Sequence, residues 1–157
     1  MAVTIRPMRD DEFATWLPQM RDNYAGSLSR DGGVPADAAR TKAAADTAQA
    51  FPGDQPSSRH AVFVVEADGE PVGELWLAQR DDQPDLRGTL FVFDIRIDEA
   101  QRGRGYGREA MLLAEGEARR RGLDRIALNV FGGNEVARNL YRSLGYAENA
   151  VLMSKPL

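Results

Sequence analysis

Hydrophobic positions along the chain follow two different periods. Over residues 9–28, Phe13, Trp16, Leu17, Met20 and Tyr24 recur at spacings of three and four, which places them on one face of an amphipathic helix. Pro18 lies inside this stretch and predicts a kink or break, because proline removes a backbone donor and crowds the preceding turn. Residues 35–50, rich in Ala and Asp, predict a second helix, with Pro35 suited to its first turn. Segments 29–34 and 52–58 read as irregular, the second for its Pro, Gly and Ser. From Ala61 the period shortens. Residues 61–67 form an apolar, β-branched run, Asp68-Gly69 supplies a hairpin turn, and residues 72–79, with Trp76 among them, make the second arm. A polar loop over 80–87 leads to a third strand at residues 89–97. After a glycine-dense turn, residues 105–121 predict a helix with Gly107, Ala110, Met111, Ala114 and Ala118 on one face and Gly122 at its C-terminal cap. Residues 125–131 read as a strand. Asn134 then opens a short helix carrying Val136, Ala137, Leu140 and Leu144 and ended by Gly145, and residues 146–155 supply one or two closing strands. With a strand at the start, the order is β-α-α-β-β-β-α-β-α-β-β, an α/β protein with a mixed sheet and a central strand–helix–strand crossover.

Composition narrows the chemistry. A length of 157 residues suits a single domain spanning 1–157, and a chain this long builds a core without staples. With no Cys there is no disulfide framework, thiolate metal site or thiol nucleophile, and a single His, His60, leaves no His-based metal cluster or Ser-His-Asp triad. A net charge of −4 argues against a general nucleic-acid binder, and no apolar run approaches the roughly 20 residues of a membrane span. The first residues show no signal-peptide pattern, so the expected location is cytoplasmic, with neither nucleic acid nor membrane as partner.

The most informative segment is Gln101-Arg102-Gly103-Arg104-Gly105-Tyr106-Gly107-Arg108, between a strand and a helix. Glycines permit positive φ and close approach of a ligand to the backbone. The helix start offers unpaired N–H groups and the positive end of the macrodipole, and Arg102 and Arg104 add cations that fork onto phosphate oxygens. These parts make an anion cradle suited to a pyrophosphate. It is not a P-loop, because Gly107 is followed by Arg108-Glu109 rather than Lys-Ser/Thr. Gly103, Gly105 and Gly107 give G-x-G-x-G rather than the dinucleotide G-x-G-x-x-G, and the turn comes after three strands rather than opening a βαβ unit.

The segment Arg102-Gly103-Arg104-Gly105-Tyr106-Gly107 resembles the R/Q-x-x-G-x-G/A signature of the GNAT superfamily of acetyl-CoA-dependent N-acetyltransferases. A second stretch, residues 134–146, is similar to that family's N-x-x-A-x-x-L-Y-x-x-x-G-F/Y segment, and Met153-Ser154-Lys155-Pro156-Leu157 resembles the close of many members. The resemblance implies a GNAT-type fold and acetyl transfer from acetyl-CoA to a primary amine, directly within a ternary complex. It implies that backbone N–H groups of Arg102, Gly103, Arg104, Gly105, Tyr106, Gly107 and Arg108 hold the CoA pyrophosphate. The pantetheine arm is then expected to lie beside Ile95 and Ile97, with the thioester in the wedge between Ile97 and Val130. Asn134 matches a position that often reaches the cofactor, and it reads equally well as a helix N-cap.

Tyr141 matches the family's usual general acid, and a tyrosine hydroxyl suits a departing thiolate; by residue pattern alone it is also an aromatic on the apolar stripe of its helix. The general base is less legible. Phe91 stands where some relatives have a glutamate. Asp94 is the only acid in that strand and is the chosen base, with Glu74 on the neighbouring strand as the other candidate. Tyr24, Trp76 and His60 are candidates for an acceptor pocket, though core packing suits Tyr24 and Trp76, and an exposed position suits His60. The resemblance names no acceptor, small-molecule or protein, and many relatives pair as homodimers. A non-catalytic acyl-CoA-binding sensor with the same fold is the alternative function.

Overall fold

The computed structural model describes residues 2–157. Strands β1 (Val3–Pro7), β2 (His60–Ala67), β3 (Glu70–Gln79), β4 (Thr89–Ile97) and β5 (Arg125–Leu128) form one sheet in sequence order. All neighbours are antiparallel except β4 and β5, which are joined in parallel through the crossover helix α3 (Tyr106–Arg120). Helices α1 (Asp10–Arg30) and α2 (Ala36–Ala50) come between β1 and β2, and α4 (Glu135–Ser143) follows β5. The β2–β3 hairpin turns on Asp68 and Gly69, both left-handed at φ 52° and 84°, as a two-residue hairpin with right-handed strand twist requires.

Strand alternation gives the sheet two apolar faces. On one, Phe63, Leu75, Leu77, Leu90 and Val92 meet Tyr106, Ala110, Met111 and Ala114 of α3. On the other, Val62 and Trp76 meet Phe13, Trp16, Leu17 and Met20 of α1, together with Phe51. The small residues Ala39 and Ala43 of α2 are fully buried against Leu28, so α2 packs closely along α1. Arg6 of β1 ties these layers together, donating to Glu66 of β2 and to both carboxylate oxygens of Glu12 in the first turn of α1 at 2.7–2.9 Å.

Three expectations are corrected. Of the kink or break expected at Pro18, the break does not occur, because α1 runs through that residue. Pro18 and Ala14 are both exposed, so the carbonyl deprived of its donor lies on the solvent side of the helix. Strand β5 stops at Leu128 rather than residue 131, because Phe131 leaves the sheet and packs with Leu28 and Val34; a Cβ at Gly32 would lie 3.1 Å from its ring. The closing strands over 146–155 do not form. Glu148 is instead held over α4 by Arg138 and Arg142 at 2.9 and 2.6 Å, and Val151, Leu152 and Met153 that follow are exposed.

Candidate active site

Strand β4 carries one extra residue relative to β3. Leu77 pairs with Val92 and Trp76 with Asp94, so Phe93 stands unpaired as a bulge. On the other side, β4 pairs with β5 only from Thr89 to Val92, and past Val92 the parallel ladder ends. The backbone of residues 93–97 therefore has no strand partner on that side, with Ile95 and Ile97 on the edge and the Ile97 carbonyl accepting from Arg102. A wedge opens between this edge and residues 129–130. An extended chain carrying amide groups would find there the hydrogen-bonding positions of a missing strand.

The glycine turn lies at the mouth of the wedge. Gly103 and Gly105 have φ of 75° and 86°, and a Cβ on either would point into open space. The space is free, and the glycines are needed for the left-handed backbone rather than to avoid a clash. Gly105 is the N-cap of α3 and offers no side-chain acceptor, so N–H groups of the first turn remain for an incoming anion. The side chains divide the work unevenly. Arg102 donates through Nε to the Ile97 carbonyl at 3.0 Å, Arg108 donates to Ser143 of α4, and Arg104 is exposed with no hydrogen-bond partner among the described residues. Tyr106 is buried in the core on the α3 side, so only its backbone faces the turn. Gly107 is packed between helices, where a Cβ would come within 3.6 Å of Leu140 and 3.9 Å of Ile97.

Helix α4 brings Tyr141 to the same region. Its ring packs 5.9 Å from that of Tyr146 and against the core on the α3 side. Burial, and then the negative charge of Asp94, push the Tyr141 hydroxyl up to about 12. It is therefore a protonated donor at neutral pH. Tyr141 packs against the same core as Ile95, the residue after Asp94 in β4. Asn134 accepts from the Ala137 N–H at 3.2 Å, which is N-capping of α4.

Asp94 sits across from Trp76 at the bulge. Burial and the nearby Glu74 carboxylate raise its pKa to about 6, against the opposing pull of Arg96 and the Ile95 N–H. Glu74 is also raised, by burial above all. Its Oε1 accepts from Arg96 at 2.9 Å and its buried Oε2 has no partner. The two candidate bases are thus neighbours rather than alternatives in separate places, with Arg96 answering both. Arg96 itself was missed by sequence reasoning, because its role depends on the pairing Glu74↔Arg96.

Of the acceptor-pocket candidates, Trp76 is buried in the aromatic core and Tyr24 donates to Asp46 at 2.8 Å. The expected exposure of His60 is corrected: it is half-buried, because the Trp76 indole N–H donates to its Nδ1 at 3.0 Å and Phe51 and Phe93 flank it. Among the described residues no helix is long and apolar enough to cross a membrane, and no cluster of three or more His, Cys, Asp or Glu could hold a metal ion.

Known proteins match this arrangement along the whole chain. Residues 18–146 match the sequence profile of the acetyltransferase (GNAT) family. The uncharacterized N-acetyltransferase YdgE of Bacillus subtilis is 31% identical over 158 residues, covering 100% of this chain and 99% of the relative. YycN, a second uncharacterized N-acetyltransferase of that organism, is 29% identical over the full length of both. The crystal structure of YycN superposes with a TM-score of 0.89 at 27% identity, covering 99% of each chain. At 18% identity, the structure of AAC(6')-Iy in complex with the bisubstrate analog CoA-S-monomethyl-acetylneamine shares the fold, with a TM-score of 0.63 over 100% of this chain and 99% of that one. A sheet that splays past Val92, a glycine turn opening α3 and a family match over residues 18–146 lead to one conclusion: the chain is an acetyltransferase and belongs to the GNAT family.

Proposed function

We propose that residues 1–157 act as one domain that transfers an acetyl group from acetyl-CoA directly to a primary amine, with Tyr141 and Asp94 handling the protons. The observation that carries this reading is the parting of β4 from β5 beside Tyr141, because it leaves backbone for a pantetheine arm next to a proton donor. The cradle fits a pyrophosphate: open space stands over Gly103 and Gly105, N–H groups of the first turn of α3 lack a cap, and the Arg104 cation is free among the described residues. When bound, acetyl-CoA supplies an activated thioester.

Asp94, with its pKa near 6, is ionised at neutral pH yet far more basic than an ordinary aspartate, so it can take a proton from an ammonium acceptor. The amine nitrogen forms the C–N bond as the C–S bond breaks. Tyr141 holds its proton to about 12, whereas a thiol like that of CoA has a pKa of about 8.5 by analogy with Cys. Giving that proton outright to the sulfur is uphill by roughly 5 kcal/mol, at about 1.4 kcal/mol per unit. Tyr141 Oη therefore acts as a hydrogen-bond donor to the developing charge. It releases its own proton only as it receives the one leaving the new amide nitrogen. Arg96 steadies Glu74 and Asp94, whose like charges would otherwise repel at close quarters.

A thermal-shift titration with acetyl-CoA, CoA and NAD side by side tests the donor site. At a hundred times its Kd a ligand stabilises the fold by about 2.7 kcal/mol. That is roughly 5–10 °C for a domain of this size. A shift with both CoA species and none with NAD is expected, and no shift with either CoA species refutes the cradle.

A further inference from the structure

Resting on that reading, we infer that the acceptor amine also carries a carboxylate, which Arg80 receives on the α1 side of the bulge. Arg80 ends the turn out of β3, and its side chain is only 19% exposed. The guanidinium lies 5.9 Å over the ring of Phe91 and 5.3 Å over that of Phe93, the bulge residue next to Asp94. Two aromatic faces thus hold the planar cation in place. Asp82 engages its Nε at 3.2 Å, and the two terminal nitrogens have no hydrogen-bond partner among the described residues. A half-buried fork with both tips unmet is set for a planar, bidentate anion.

A second donor stands beside it. The Trp76 indole is a donor only, so its bond to His60 Nδ1 fixes that nitrogen as an acceptor and puts the neutral ring's proton on Nε2. Burial and the charge of Arg80 keep His60 below its ordinary pKa, so the ring stays neutral, and Nε2 has no partner among the described residues. Phe93 packs 5.2 Å from His60 and 4.7 Å from Trp76, nearly parallel to the latter, which fixes one wall. Arg80 and His60 both pack on Phe93, and Asp94 is the next residue along β4. Two kinds of chemistry meet around Phe93: N–H donors on Arg80 and His60, and the carboxylate of Asp94. A zwitterion, with ammonium to Asp94 and carboxylate to Arg80, satisfies both, whereas a simple amine leaves the guanidinium fork unmet.

The test compares acetylation of the free L-amino acids, β-alanine and γ-aminobutyrate with acetylation of their primary amides, for the intact enzyme and for Arg80→Gln and Arg80→Lys. A charge-assisted bidentate contact sets the scale at about tenfold to a hundredfold. The acid of at least one pair is expected to exceed its amide in kcat/KM by that factor. Arg80→Gln should erase the preference through the acceptor KM while the acetyl-CoA KM holds, and Arg80→Lys should restore part of it. Equal use of acids and amides, or a preference that survives Arg80→Gln, overturns the inference and leaves acetyl transfer standing. CoA binding without transfer to any compound removes the transfer reading, and the inference with it. The CoA-induced thermal shift of each variant shows that it folds.

Discussion

The two sides of β4 are built in opposite ways. Toward α3 and α4, the site is made of backbone: left-handed glycines at 103 and 105, an uncapped helix start and, beyond Val92, a strand edge with no strand partner. Toward α1 and α2, it is made of side chains locked by one another, with Trp76 on Phe93, Trp76 on His60 and Arg80 over two rings. On the proposed function, the backbone cradle would recognise a group that every CoA donor shares, and it needs little more than glycine and geometry. A side-chain pocket recognises one acceptor, so its identity rests on contacts among residues distant in the chain. The bulge at Phe93 is where the two sides meet, and it delivers Asp94 between them.

Several substitutions would break or sharpen this contrast. Removing the hydroxyl in Tyr141→Phe should cost the most, on the order of a hundredfold or more in kcat. The KM for acetyl-CoA should stay near wild type, because Tyr141 is not part of the glycine cradle; steady-state kinetics in a chemistry-limited regime decide it. Gly73→Ala comes next. Its Cβ would stand 2.1 Å from the Arg96 carbonyl, so β3 and β4 must part where Glu74 and Asp94 are held. A loss of about 3 kcal/mol or more is expected, read as a fall in Tm of roughly 6–12 °C.

Asp94→Asn separates catalysis from stability. An aspartate raised to about 6 in the fold, against about 3.9 unfolded, favours its neutral form when folded. Its ionisation therefore destabilises the protein as pH climbs through 6, and the penalty is absent below the unfolded value. Asp94→Asn should be more stable than wild type at pH 8 by about 3 kcal/mol, with the gain vanishing near pH 4. The same change should remove the limb near pH 6 from the wild-type activity profile. A limb that persists in the variant assigns the base elsewhere. Gly105→Ala introduces a side chain at φ 86° and should weaken CoA binding by about tenfold through strain of roughly 1–2 kcal/mol, with acceptor KM spared. Trp76→Phe is the mildest. It leaves His60 Nδ1 without its donor for about 1 kcal/mol of stability. Its effect on acceptor KM should exceed its effect on acetyl-CoA KM.

Legibility in the sequence divides along the same line. Strand β4 and the bounds of α3 and α4, to within a residue, follow from period and punctuation, since Gly105, Gly122, Asn134 and Gly145 mark positions with local backbone demands. As a candidate acid Tyr141 stands out in the sequence only through its resemblance to a family segment, because its burial beside an apolar stripe suits a core residue equally well. The exposed reading of His60 failed because a lone polar residue after a loop shows nothing of the indole that caps it. The closing strands failed because an apolar run specifies a strand only when an edge is there to pair with it.

What the sequence determined by itself was local: which segments are helical, most of those that are extended, and where the chain must turn left-handed. The tertiary structure decided what no period encodes. The register shift that leaves Phe93 unpaired, the pairing that puts Glu74 opposite Arg96, and the environment that lifts Asp94 to about 6 all depend on residues brought together from separate strands. Local backbone preference is a property of a few neighbouring residues, whereas desolvation and charge depend on everything packed around a group.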